Sequence, residues 1–384
     1  MSLAKICLSL LLTLLAPSAA ISGQAMNEPL VIGVITPRSG PNAPIGIAIA
    51  EGAAALVDWV NAHGGVRGRP IELIQGDDHG DAVRTIAKGF EQVDQHLVRA
   101  FLAPVGCAST YALLPLAERL SIPVIAPMCG DRALRRPVVR EAFPIGPGHD
   151  RQAENLARLL ISRGTRHFAL VLQPDALGDA ARDGTRRALG ASQLPDARLD
   201  EIRFDASAPH GVIEQLRASD AEVILTALPD PQTGTLSGLL RDAGMSKHLY
   251  LLAEGDPLLL AARPDLDMPA ISAIQILPDE RQDSIVNRAC LALIGHDLPP
   301  LMRAARRHGC LATQILIAGL RRSGDDIDDP QSLIAALERP ARPHAGNGAD
   351  PFAFTAFDHQ AFQSTSLIEL RMLTNPMNIA SIQP

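Results

Sequence analysis

Few groups of residues in this chain carry side chains suited to chemistry. Asp77, Asp78, His79 and Asp81 crowd into one short stretch, and carboxylates with an imidazole can ligate a metal ion. The same residues suit a plainer task, because acids at the start of a helix accept from its free N–H groups and complement its dipole. Charged residues are seldom buried, so a solvated loop at a strand end with helix-capping acids is expected here. Ser109 has a hydroxyl that could act as a nucleophile, but no base stands at a spacing that identifies it. An exported α/β hydrolase would need such a triad. Arg132, Arg135, Arg136 and Arg140 form a basic run, expected to be a solvated helix face rather than an anion site. No GxxxxGK[ST], HExxH, GxSxG or EF-hand loop occurs, and no CxxC, so zinc-ribbon and dithiol readings have no support.

Composition narrows the function further. The chain has 384 residues, which favours two domains, and 47% are apolar, enough for sizeable cores. A formal charge of −7 argues against a nucleic-acid partner. Aromatic residues make up only 3%, with one Trp and two Tyr, which leaves few platforms for stacking bases.

The elements that must position any site follow from periodicity. Lys5, the apolar run Ile6 to Leu15 and the small residues Ala16-Pro17-Ser18-Ala19-Ala20 read as a secretory signal peptide over residues 1–25, with cleavage after Ala20 or Ala25 left open. Of the five cysteines, Cys107, Cys129, Cys290 and Cys310 lie beyond it. In an oxidising compartment they favour disulfides, with three connectivities possible and buried free thiols as the alternative. Strands are expected at Leu30–Ile35, Ile71–Ile74, Ala100–Pro104 and Pro123–Ala126, with helices at Ile45–Asn61, Asp81–Leu97 and Ser109–Leu120. This βαβ alternation predicts a parallel, doubly wound sheet. The pattern restarts with helices at Arg151–Ser162, Gly178–Leu189, Val212–Ala218 and Thr235–Ala243, and strands at Phe168–Leu172, Glu222–Leu225, Tyr250–Leu252 and Ala273–Ile276. Two α/β lobes result, with Gly146-Pro147-Gly148 as a natural crossing point. Helices at Asp283–Ile294, Ala304–Arg322 and Pro330–Leu337 follow, and period-two alternation over Phe352–Leu373 predicts a terminal hairpin.

The run from Gly33 to Asp78, GVITPRSGPNAPIGIAIAEGAAALVDWVNAHGGVRGRPIELIQGDD, carries several features in fixed order: the Ser39-Gly40-Pro41 turn, the Val60-Asn61-Ala62 helix end, and Gly64-Gly65-Val66 with Gly68. It resembles the opening of type I periplasmic binding proteins of the Leu/Ile/Val-binding family. The likeness continues through Val105 to Thr110, Ile122 to Pro127, Leu177-Gly178-Asp179 and Ala253-Glu254-Gly255. It implies the extracytoplasmic solute-binding subunit of an ABC importer. Two doubly wound lobes, joined by a hinge of three crossings, would close on a small amino-acid-like or other small organic ligand and deliver it to an inner-membrane permease. Residues 28–148 with 278–345 would form lobe one, and 149–277 with 346–384 lobe two. No catalysis, no cofactor and a monomer are expected. A ligand sensor on the same fold, without a dedicated permease, is the alternative.

The resemblance also implies a ligand set. Ser109 or Thr110 would offer a hydroxyl at a helix N-terminus, with helix capping by Ser109 the plainer role. Met128, Cys129 and Gly130 would line the next loop through their backbone. Leu177 stands where relatives carry an aromatic residue, and Pro229 would line the same wall. Glu254 would meet a ligand's ammonium group, since a carboxylate in a closing cleft needs a cation. Cys107 and Cys129 would then sit at neighbouring strand ends, close enough for a disulfide, and Cys290–Cys310 would tie two lobe-one helices.

Overall fold

A computed structural model describes residues 28–252, 270–277, 285–295, 298, 300–339, 352, 354–362, 365–369 and 379–382. The expected signal peptide, and Glu254, lie outside these residues.

The first lobe is built on β1 (Leu30–Thr36), β2 (Ile71–Asp77), β3 (Phe101–Leu102), β4 (Val124–Ile125) and β5 (Ala142–Phe143). They form a parallel sheet in the order β2-β1-β3-β4-β5. β1 reads as an apolar run because it lies inside the sheet, with both faces covered. The two-residue β5 has too little length to show a period in the sequence.

Helices α1 (Ala43–Ala62), α2 (Ala82–His96) and α3 (Cys107–Leu120) make the crossovers. α8 (Ile285–Ile294), α9 (Pro300–Arg322) and α10 (Pro330–Glu338) return to the same lobe. α1 is apolar along much of its length because it is covered by the sheet on one side and α9 on the other. The two helices approach at paired glycines. A Cβ on Gly52 would lie 1.8 Å from the Arg306 carbonyl oxygen, and one on Gly309 would lie 1.9 Å from that of Ile49. A disulfide joins Cys290 on α8 to Cys310 on α9, with Cα atoms 5.7 Å apart.

The second lobe has α4 (His149–Ser162), β6 (His167–Leu172), α5 (Ala176–Ser192), β7 (Arg198–Arg203), α6 (Gly211–Ala218), β8 (Val223–Ala227), α7 (Asp230–Asp242), β9 (His248–Leu251), β10 (Ile271–Gln275), β11 (Thr365–Glu369) and β12 (Ile379–Ile382). The sheet order is β12-β11-β10-β9-β8-β6-β7, parallel from β7 to β10 and antiparallel at β11 and β12. β7 has no counterpart among the strands expected from the sequence. It is an edge strand, RLDEIR, that buries only Ile202, and charges on such an edge discourage pairing with other chains.

The chain segments between the lobes lie side by side. Ala361 and Phe362 donate backbone N–H groups to the carbonyls of Pro144 and Ile145, at 3.1 and 3.0 Å. A Cβ on Gly146 would lie 2.8 Å from Cβ of Ile276, so the segments after β5 and β10 also touch.

Two expectations about the C-terminal region are corrected. Phe352 and Phe354 are not strands of a terminal hairpin but are buried in the lobe-one core, with Ala361. His359 stacks on Phe143 and donates to the Ala142 carbonyl at 3.0 Å. The hairpin is formed later, by β11 and β12. A lobe-two segment starting at residue 346 therefore begins too early, because 352–362 complete the first lobe. Alternating apolar residues can mark a strand or a loop that docks two rings into a core, and only the tertiary contacts separate these.

Candidate functional site

In open parallel sheets the strands' carboxyl ends carry the ligand-binding loops. In lobe one these loops follow β2, β3 and β4, and polar contacts fix them. Asp81 caps α2 by accepting from Arg84 N–H at 2.9 Å. Asp77 accepts from the Arg38 N–H at 2.8 Å, the Ser39 hydroxyl at 2.5 Å and the His79 N–H at 2.9 Å. The Ser39 hydroxyl and the backbone donors hold its carboxyl well below the usual carboxylate range. Among the described residues no group of three or more His, Cys, Asp or Glu could hold a metal ion.

Asp78 departs from the solvated loop expected of this stretch. It is fully buried. Its carboxylate accepts from Gly80 N–H at 2.9 Å, Thr85 hydroxyl at 2.9 Å and Ser109 hydroxyl at 3.1 Å. These three donors satisfy the buried side chain, and they tie the start of α2 to the start of α3. The signal in the sequence was the recurrence of short hydroxyl side chains at Thr85 and Ser109, legible only once the fold brings them together.

The consequence for the expected ligand set is direct. The Ser109 hydroxyl is spent on Asp78, and the Thr110 hydroxyl donates back to the Gly106 carbonyl at 2.8 Å. Both residues are buried. Neither hydroxyl caps α3, whose N-cap is Gly106 at φ 88° with no side-chain bond. What the loop presents instead is the first-turn backbone of α3, with Ala108 exposed.

The loop after β4 is held against this turn. Cys107 and Cys129 are disulfide-bonded with Cα atoms 4.7 Å apart, and Gly106 N–H donates to the Met128 carbonyl at 3.1 Å. Met128 is partly exposed and Cys129 buried. Gly130 has a packing role: its carbonyl accepts from His149 N–H at 2.8 Å, and a Cβ there would lie 2.1 Å from the His149 ring. The β4 loop thus abuts the opening of α4, at the boundary between the lobes.

The basic run is not a solvated helix face. Arg132–Leu134 is a single 3-10 turn. Arg135 is buried, and its guanidinium donates to the carbonyls of Cys129 at 3.2 Å, Asp131 at 2.8 Å and Gly146 at 2.8 Å. Burial draws its pKa down to about 10, so the cation persists at neutral pH. It clamps the β4 loop to the crossing segment. Arg132 stays at the surface and pairs with Asp183 of α5 at 2.7 Å, a contact across the lobes. In the sequence the four arginines look alike; the break in helical pattern at Pro137 is the one local sign that they differ.

On the lobe-two side, Leu177 sits in the first turn of α5 and is buried in that lobe's core rather than exposed as a cleft wall. Pro229 is the N-cap of α7, partly exposed and without a side-chain cap bond. Tyr111, the Tyr nearest the lobe-one loops, donates its hydroxyl to Asp131 at 2.7 Å. The structure brings Cys107, Met128, Cys129 and Gly130 together with the opening of α3, where Ser109 and Thr110 are buried with satisfied hydroxyls, and sets Leu177 into the core of the second lobe.

A family model for periplasmic binding proteins matches residues 29–373, nearly the whole described chain. The chain belongs to the periplasmic binding protein family. This family comprises solute-binding proteins of ABC transporters for amino acids or other small ligands. One relative among curated proteins, Leu/Ile/Val-binding protein homolog 3 of Brucella melitensis biotype 1, is 24% identical over 336 residues, covering 85% of this chain and 88% of its own. Among solved structures, a possible leucine/isoleucine/valine-binding protein from Rhodopirellula baltica superposes with a TM-score of 0.75 at 19% identity, covering 93% of this chain and 96% of that one. A branched chain amino acid ABC transporter protein from Thermus thermophilus with bound valine gives 0.72 at 15% identity, with the same coverages of 93% and 96%. The chain thus has the type I periplasmic binding protein fold.

Proposed function

We propose that this protein is the extracytoplasmic solute-binding subunit of an ABC importer, and that its ligand is a small carboxylate-bearing solute of the amino-acid-like class. In this reading the lobes close on the ligand by hinge motion about the segments near Gly146, Ile276 and Phe362. A membrane permease then receives the solute.

The observation that supports the ligand class is the opening of α3. Its first-turn N–H groups have no side-chain cap, and the Cys107–Cys129 disulfide and the Asp78 contacts hold them in place. A fixed helix N-terminus favours an anionic group through its free donors and its dipole. With the hydroxyls of Ser109 and Thr110 spent, the carboxylate would be held by backbone N–H groups at Cys107, Ala108 and Ser109. Met128, flexible and polarisable, would pack against the ligand's apolar part. Glu254 remains the proposed partner of a ligand ammonium. The lobe division, with 352–362 assigned to lobe one, is part of the same reading.

The test is ligand-dependent thermal stabilisation across amino acids, their amides and simple aliphatic and aromatic acids, followed by calorimetry on any ligand found. Stabilisation by an acid but not by its amide is the expected result. No stabilisation by any carboxylate, or equal stabilisation by the amides, counts against the reading.

A further inference from the structure

The two disulfides stand in different surroundings. Cys290 and Cys310, on α8 and α9, are both fully buried in the lobe-one core. Cys107 is partly exposed in the first turn of α3, beside the exposed Ala108, and only its partner Cys129 is buried. Thiol–disulfide exchange requires a thiolate to reach one of the two sulfurs, so access already separates the bridges.

Charge acts in the same direction. A bridge opens more readily where positive charge stabilises the thiolates that appear. α3 begins at Cys107, its N-cap Gly106 makes no side-chain bond, and no acid lies in its first turn. The free N–H groups and the dipole of the helix therefore favour a thiolate at Cys107. At Cys129 the positive charge is that of buried Arg135, whose guanidinium donates twice to the Cys129 carbonyl, each time at 3.2 Å. Asp131, two residues on, is engaged by the Tyr111 hydroxyl and the Ala133 N–H.

We propose that Cys107–Cys129 is a thiol-exchange site, a redox-sensitive clamp that a dithiol opens while Cys290–Cys310 stays closed. A thiolate of the dithiol attacks the Cys107 Sγ. A mixed disulfide forms there as the Cys107–Cys129 bond breaks, and the electron pair leaves on the Cys129 Sγ beside Arg135. The second thiolate of the dithiol then attacks the dithiol's own sulfur in the mixed disulfide. The dithiol closes into a disulfide, and Cys107 is released as a thiolate at the α3 N-terminus. The dithiol has lost two electrons and the bridge has gained two, with protons exchanged through water.

Opening the bridge has a local consequence. Beside it, Gly106 N–H donates to the Met128 carbonyl at 3.1 Å, and Met128 N–H to the Pro104 carbonyl at 2.9 Å. The disulfide closes the end of this short ladder. Without it the two bonds lie at a free end and open more often. On the ligand reading proposed above, the same loosening disturbs the backbone donors of Cys107, Ala108 and Ser109 and lowers affinity for a carboxylate.

Differential alkylation with peptide mapping tests the exchange, using dithiothreitol at neutral pH without denaturant. Cys107 and Cys129 should be labelled, with Cys290 and Cys310 protected until the protein is unfolded. Hydrogen exchange at the Gly106 and Met128 amides should then quicken at least about tenfold, with the α1–α9 core unchanged. Cys107→Ala combined with Cys129→Ala should show the same exchange pattern with no reductant present. Resistance of both bridges, opening of Cys290–Cys310 first, or unchanged exchange at Gly106 and Met128 once the clamp is open overturns the proposal. Affinity keeps the two readings apart. A carboxylate bound equally well by oxidised and reduced protein overturns the switch and leaves the ligand class standing. If no carboxylate binds the oxidised protein, the ligand class falls, while alkylation and hydrogen exchange still decide the clamp.

Discussion

The Ser109 hydroxyl donates to the Asp78 carboxylate at 3.1 Å, buried within lobe one. Three hydrogen-bond donors, Gly80 N–H and the Thr85 and Ser109 hydroxyls, satisfy the buried Asp78 side chain. Ser109→Ala removes one of them and should destabilise the protein by about 1–3 kcal/mol in chemical denaturation, with ligand affinity little changed. A large loss of affinity with unchanged stability would show that the hydroxyl serves the ligand after all.

The Cys107–Cys129 bridge spans a sequence separation of 22 residues. Replacing both cysteines by alanine should cost about 3 kcal/mol of stability by freeing the unfolded chain. On the proposed ligand geometry the same variant should bind at least about tenfold more weakly, because the α3 opening and the β4 loop are no longer held together. Calorimetric titration at a temperature where the variant stays folded checks the second effect.

Gly52 and Gly309 sit where α1 and α9 touch backbone to backbone. Neither helix can shift without disturbing the core on its other side. Gly309→Ala should therefore cost about 3 kcal/mol or more, read as a fall in melting temperature or as failure to accumulate folded protein. A neutral result would mean that the helices separate more easily than their packing suggests.

His308 on α9 is buried, and its Nε2 donates to the Ala126 carbonyl at 2.8 Å. Burial pushes its pKa below the ordinary 6.5. In the unfolded chain the imidazole takes up a proton as pH falls through that ordinary value, while the folded protein resists. The unfolded state then holds more protons, so stability falls with pH, by at most about 1.4 kcal/mol per pH unit from this group. Denaturation midpoints between neutral and mildly acidic pH should show this slope, and His308→Gln should flatten it. An unchanged slope in the variant assigns the pH dependence elsewhere.

Much of lobe one was legible in the sequence. The apolar run of β1 and the amphipathic period of α1 follow from near-neighbour spacing, which is also what secondary structure responds to. Elements escaped where that signal is thin or disguised. β5 is two residues long, and β7 is an edge strand with a single buried side chain.

The sequence by itself determined the α/β alternation, the crossing at Gly146-Pro147-Gly148 and the family, because these depend on local periodicity and on motifs in fixed order. The tertiary structure alone decided which polar groups are spent and which are available. Ser109 and Arg135 were read as a loop hydroxyl and a surface cation. They became a buried donor and a buried clamp because residues distant in sequence, Asp78 and Gly146, arrive within hydrogen-bond distance. A buried polar group must find partners, and partners brought by folding leave no mark on the spacing of the residues that need them.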